Sequence, residues 1–253
     1  MPGTLLYEAT AEFIGTMIII LFGAGVVAMT QLFGTGTPGE IVNGGFTNIT
    51  LGWGLAVMMG VAVSAKVSGA HLNPAVTISL AIFRGFSWSK VLPYLAAQFT
   101  GAFCGAALVY LNYRPAFLAH DPGLESTAGV FSTFPRFPEI PLAGFVDQVI
   151  GTALLLFLVL AVTDENNLQA PPWLTPMLVG LIVVAIGMSF GSLHGYAINP
   201  ARDFGPRLFT AIAGFKHNGL TDGTYVWLIP FFAPILGGIV GTAAYDFTIR
   251  KTL

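Results

Sequence analysis

The chain has 253 residues, of which 55% are hydrophobic and only 9% charged, with a mean hydropathy of +0.77. Soluble domains carry about 25% charged residues, so this composition excludes one and calls for an integral membrane protein. A formal net charge of −2 with scattered Lys and Arg gives no nucleic-acid footprint, and the single Cys104 rules out an internal disulfide or a Cys-rich metal site.

In chain order, the N-terminal MPGTLLYEATAEF lacks a basic region and a small-residue cleavage site, so the first apolar run is expected to be retained. Six long apolar runs follow, at 7–30, 46–66, 91–111, 142–163, 172–190 and 225–247, each long enough to cross a bilayer core of about 30 Å as a helix. The connection 112–141, with five prolines and few charges, reads as an ordered cap over one mouth, with a floppy loop as the alternative. Glycines four apart (Gly101 and Gly105, Gly187 and Gly191, Gly237 and Gly241) have the spacing of tight helix contacts.

The second and fifth runs each lead into the same short motif. Val67–Thr77 reads VSGAHLNPAVT and Leu193–Asp203 reads LHGYAINPARD, so Asn73-Pro74-Ala75 repeats as Asn199-Pro200-Ala201. Asn is a strong N-cap and Pro fits the first helical position, so each triplet starts a helix. The apolar runs behind them, 76–83 and 204–212, are about ten residues long, or about 15 Å, half a hydrocarbon core. Two such half-helices meeting tip to tip make one span. Glu12-Phe13-Ile14-Gly15-Thr16 also recurs as Gln148-Val149-Ile150-Gly151-Thr152, which extends the repeat. Three spans per copy is odd, so the second copy enters from the opposite side. The expected fold is an all-α membrane protein with six transmembrane helices, two half-helices and an inverted three-span repeat. It is read as a single channel domain over 1–253, with repeat one at about 7–111 and repeat two at about 142–248.

Backbone just before each cap cannot be helical, and such backbone is tolerated at membrane depth where it lines a cavity or is buried in protein. The carbonyls of Gly69, Ala70 and His71, and of Gly195, Tyr196 and Ala197, are therefore expected to form a ladder of acceptors. As caps, Asn73 and Asn199 accept at oxygen, which leaves both amide NH₂ groups to face a lumen. Arg202 should face water or the bundle interior. There it offers fixed donors and repels cations, unless it merely pairs with Asp203. Glu12 and Gln148, at equivalent places in spans one and four, are read as braces for the hairpin N–H groups, since an isolated carboxylate opposite an amide makes a poor proton relay. Gly34–Gly39 spells G-x-G-x-x-G without a βαβ unit, and Asn48-Ile49-Thr50 falls at or inside span two, so neither carries chemistry. The four histidines lack metal-ligand spacing, and no nucleophile–base pair is visible, so neither a cofactor nor an enzymatic activity is expected.

HLNPAVT, INPARDFGPRLF and the leading AEFIGT together resemble the major intrinsic proteins, the aquaporins, over about Glu8–Tyr245. Asp203 behind Arg202 is similar to the glycerol-conducting branch, the bacterial glycerol facilitators. The resemblance implies a pore in each subunit, a homotetramer in the lipid of a cell membrane, and a narrow ring of Trp53, Gly187, Tyr196 and Arg202. It implies passage of glycerol, other small neutral polyols and water, with protons and ions excluded. It also assigns Asp203 a bracing role beside Glu12 and Gln148. Two departures stand out: the bacterial facilitators resemble one another in having Phe where Tyr196 stands, and a second buried Glu where Gln148 stands. Tyr196 should make the ring more polar, and Gly187 should leave it open. The rival readings are a water-selective pore, one for urea or metalloid acids, and an ion-coupled secondary transporter, which would need acidic coupling groups that the core lacks. Lys66, Arg84, Lys90, Arg250 and Lys251 against Arg114, Arg136 and Lys216 favour cytoplasmic termini.

Overall fold

A computed structural model describes residues 4–253, so Met1–Gly3 of the expected domain lie outside the described residues. Eight α-helices follow in order: α1 (Leu5–Gln31), α2 (Gly45–Ser68), α3 (Pro74–Phe83), α4 (Trp88–His120), α5 (Pro141–Thr163), α6 (Thr175–His194), α7 (Pro200–Ala213) and α8 (Leu228–Phe247). Six of them are long and apolar enough to cross a membrane, and α3 and α7 are the two half-helices. Large apolar side chains such as Leu6, Leu92 and Ile212 stay exposed on the bundle, as they do where the solvent is lipid.

The repeat is visible in the packing. Helix α1 lies on α2 and α4, α5 lies on α6 and α8, and α2 meets α6 between the halves. Each half-helix packs mainly on the last long helix of the other copy, α3 on α8 and α7 on α4. The paired glycines permit the closest of these contacts. A Cβ on Gly105 of α4 would sit 2.8 Å from the Met17 carbonyl of α1, and one on Gly237 of α8 would press on the Val149 carbonyl of α5. The start of α1 and the end of α8 share one end of the bundle: Glu8 of α1 pairs with Lys90, and Asp246 of α8 pairs with Arg84 at the end of α3.

The connection expected from 112 is shorter than its sequence suggests, because α4 continues to His120 through Pro115. Proline there removes only one N–H, and tertiary packing compensates. Tyr113 meets Phe33, and Phe117 is fully buried among Tyr110, Phe131 and Phe215. The rest of the connection is ordered, with a 3-10 turn at Thr127–Val130 whose Val130 and neighbouring Phe131 are fully buried.

Candidate functional site

The two hairpins adopt the same backbone. Gly69, Ala70 and Leu72 have φ of 85°, 52° and 50°, and Gly195, Tyr196 and Ile198 have φ of 67°, 36° and 43°. Left-handed backbone at Ala, Leu, Tyr and Ile is strained and persists only where the surroundings impose it. Those surroundings are side chains that take the hairpin N–H groups. Glu12 Oε1 accepts from the N–H of His71 (2.9 Å) and from Ser68 Oγ (2.6 Å). Glu12 Oε2 accepts from the N–H of Leu72 and from Gln98 Nε2, both at 2.7 Å. In the second copy Gln148 Oε1 accepts from the N–H of Ile198 at 2.9 Å, while its Nε2 donates to Asp147 Oδ2 and to the His194 carbonyl. With the N–H groups drawn into the bundle, the carbonyls of Gly69, Ala70, His71, Gly195, Tyr196 and Ala197 accept no hydrogen bond from the described residues.

Each Asn caps its half-helix as its sequence position requires. Asn73 Oδ1 accepts from the N–H of Ala75 at 2.9 Å, and Asn199 Oδ1 accepts from those of Ala201 (3.0 Å) and Arg202 (3.2 Å), with Pro74 and Pro200 at the first turns. The amide NH₂ groups are not both free, however. Asn73 Nδ2 donates to the Ile198 carbonyl at 2.9 Å, and Asn199 Nδ2 donates to the Leu72 carbonyl at 2.8 Å. One hydrogen of each amide therefore ties the two tips together, and one remains. Ala75 and Ala201 are fully buried behind the caps.

The ring residues gather on the side of the junction away from the termini. The Arg202 guanidinium lies 3.9 Å from the centre of the Trp53 ring, and its Nη1 donates to the Phe131 carbonyl at 3.0 Å. It does not pair with Asp203. That carboxylate turns outward and accepts from the N–H (2.7 Å) and hydroxyl (2.9 Å) of Thr133 and from Arg207 Nε (2.8 Å). Arg207, one helical turn on and fully buried, also donates to the carbonyls of Thr133 and Asn218. Tyr196 differs from its expectation. Its hydroxyl is buried without a partner, so it presents no exposed polar atom to the ring. Gly187 is covered by the Tyr196 side chain: a Cβ there would come within 2.9 Å of Tyr196 Cε2 and Cζ. Glycine at 187 thus makes room for Tyr196 and does not itself line the cavity.

A cavity of about 170 Å³ threads these groups together. It begins between Thr163 and Thr175 near the end that carries the termini, passes Gly69, Ala70 and His71, runs between Asn73 and Asn199, and reaches Trp53, Tyr196 and Arg202. Ala197 lines it as well, whereas Gly195 is turned against Thr133. Several residues that build the site were missed from the sequence. Arg207 had a usable signal, four residues after Asp203 on one helix face, and Gln98 is a lone amide in an apolar span. Phe131 and Thr133 had none, because their backbone, and not their side-chain type, does most of the work.

Fold and site together define a multi-span membrane protein with a narrow lane between two opposed half-helices. The family model described as major intrinsic protein matches residues 3–245, and the chain belongs to that family. It is 46% identical over 236 residues to the probable glycerol uptake facilitator protein of Thermotoga maritima, covering 93% of this chain and 97% of that one. It is 42% identical over 262 aligned positions to the glycerol uptake facilitator protein of Escherichia coli (strain K12), covering 99% and 90%. The X-ray structure of the aquaglyceroporin from Plasmodium falciparum superposes with a TM-score of 0.86 at 35% identity, covering 98% of each chain.

Proposed function

We propose that the whole chain forms one channel unit for passive, bidirectional passage of glycerol, other small neutral polyols and water. The observation that carries this reading is the continuous cavity between Asn73 and Asn199, with unpartnered carbonyls along its wall and Trp53 and Arg202 at its far end. A polyol has an apolar carbon edge and a hydroxyl edge. The Trp53 and Tyr196 side chains suit the first, and Arg202 together with the carbonyls of Gly69, Ala70, His71, Tyr196 and Ala197 suits the second. Asn73 and Asn199 each keep one N–H for a passing oxygen. Both half-helix tips, each with about +0.5 of charge, converge on that point. With Arg202 they orient passing water oxygen-first and oppose protons and other cations. No step involves bond chemistry, so the protein acts as a channel and not as an enzyme.

The same proposal places both termini in the cytoplasm, since Lys66, Arg84, Lys90, Arg250 and Lys251 lie toward the end that bears them. It also places four copies together in the lipid of the cell membrane, as the family resemblance implies. Proteoliposomes bearing the protein are expected to shrink in a glycerol gradient and re-swell fast; re-swelling no faster than empty vesicles would refute the proposal.

A further inference from the structure

Asp121 lies beyond the cavity, at the C-terminal end of α4. Its buried carboxylate accepts five hydrogen bonds, from the N–H groups of Glu125 (2.9 Å), Ser126 (2.8 Å) and Thr127 (3.1 Å) and from the hydroxyls of Ser126 (3.3 Å) and Thr127 (2.9 Å). Burial alone would raise the carboxyl pKa, but the donors from Ser126, Glu125 and Thr127 outweigh it and hold it below the usual carboxylate range. These residues start the Thr127–Val130 turn, and Phe131 comes next. Phe131 is then held on every side. Its N–H donates to the Ala128 carbonyl at 3.1 Å, its ring stacks on Phe117 at 5.6 Å, and Thr133 two residues on is tied to Asp203. Its carbonyl oxygen is the acceptor for Arg202.

We infer that Asp121 is a positioning residue for Arg202, acting through the turn that aims the Phe131 carbonyl at the guanidinium. The inference rests on the proposed reading of Arg202 as the cation that guards the lane. Arg202 has its side-chain hydrogen bond to this one carbonyl, and the adjacent carboxylate of Asp203 is engaged elsewhere. Asp203 secures the far side of Phe131, at Thr133, and Asp121 secures the near side, at Thr127. Without Asp121, three N–H groups at the start of the turn lose their acceptor, and the carbonyl that seats Arg202 is anchored from one side only.

The test is a coupling experiment in proteoliposomes that reads glycerol flux and monovalent-cation leak together. Asp121→Ala is expected to keep glycerol flux within about twofold while raising the cation-to-glycerol ratio about threefold, a modest coupling for residues joined through a shared network. Asp121→Asn keeps one acceptor oxygen and should recover most of the selectivity. Arg202→Val should raise the leak by itself, and adding Asp121→Ala to it should raise the ratio no further. An unchanged ratio in Asp121→Ala beside a raised ratio in Arg202→Val overturns the inference and leaves the reading of Arg202 intact. Independent, additive effects in the double variant overturn it too. No change in Arg202→Val overturns the reading of Arg202 itself. Should Asp121→Ala fail to insert, Ser126→Ala with Thr127→Val removes both hydroxyl donors and is judged by the same ratio.

Discussion

The two hairpins share a backbone and a cap but are held by different means. The first is braced by a carboxylate: Glu12 collects the N–H groups of His71 and Leu72 together with Ser68 and Gln98, and every one of its partners is a donor. The second is braced by a neutral amide, Gln148, which takes one hairpin N–H and turns its own donor to Asp147 and the His194 carbonyl. The carboxylate beside this hairpin, Asp203, takes none of its N–H groups and instead anchors the connection between α4 and α5 through Thr133, with Arg207 as its ion-pair partner. The difference teaches what each hairpin is for. The first is a fixed frame for the junction. The second carries Tyr196 and Arg202, and its polar contacts reach into the loop that seats the arginine. Asp147 also explains why an amide suits position 148, since a glutamate would face a second carboxylate in place of a donor–acceptor contact.

The sharpest way to break the comparison is to remove each brace in turn. Glu12→Ala leaves the N–H groups of His71 and Leu72 without an acceptor inside the membrane, and a loss of about 3 kcal/mol or more is expected. Gln148→Ala strands one N–H, and about 1–2 kcal/mol is expected. Thermal unfolding in detergent compares them, and equal losses would mean the two braces are equivalent.

Next in size is the packing of the second hairpin. Gly187→His should push the Tyr196 ring into the lane, since a side chain there meets that ring at once, and lower glycerol flux by about tenfold or more, with water reduced less. Stopped-flow scattering with both solutes reads the split, and equal loss of both would count against the assigned ring. A smaller effect is expected from Gln148→Glu, which should destabilise by about 1 kcal/mol and be rescued by Asp147→Asn, because one carboxylate then regains a donor. Failure of the rescue would remove Asp147 as the reason for the amide. The smallest effect concerns pH at the connection between α4 and α5. Asp121 has a lowered pKa in the folded protein, so its contribution is complete above the unfolded value of about 3.9 and is lost as pH falls through the lower folded value. The protection of the amides of residues 125–133, taken relative to their intrinsic exchange at each pH, should therefore be the same at about pH 7 and 5 and weaken only below about pH 4. Loss of protection already between the two higher values would show that another group controls the loop.

Much of the fold was legible in the sequence. Hydropathy alone marks six spans, since lipid tolerates few charges, and Asn-Pro-Ala marks a helix start by capping chemistry that acts within three residues. The repeated motif then fixes the inverted arrangement, because an odd number of spans per copy admits no other. Glu12 and Gln148 were readable as braces for a related reason: a polar residue in an apolar span needs a partner, and the nearest unsatisfied groups belong to the hairpins.

The tertiary structure alone decided the finer geometry. It joined Asn73 to Ile198 and Asn199 to Leu72, consuming one hydrogen of each amide across more than a hundred residues of chain. It carried α4 past Pro115, laid Tyr196 over Gly187, gave Asp203 to Arg207 and Thr133, and left Arg202 for the Phe131 carbonyl. Periodicity, hydropathy and capping act between near neighbours and are written in residue type. Which carbonyl an amide or guanidinium finds depends on how separate helices pack, and a backbone oxygen looks the same at every position of the sequence.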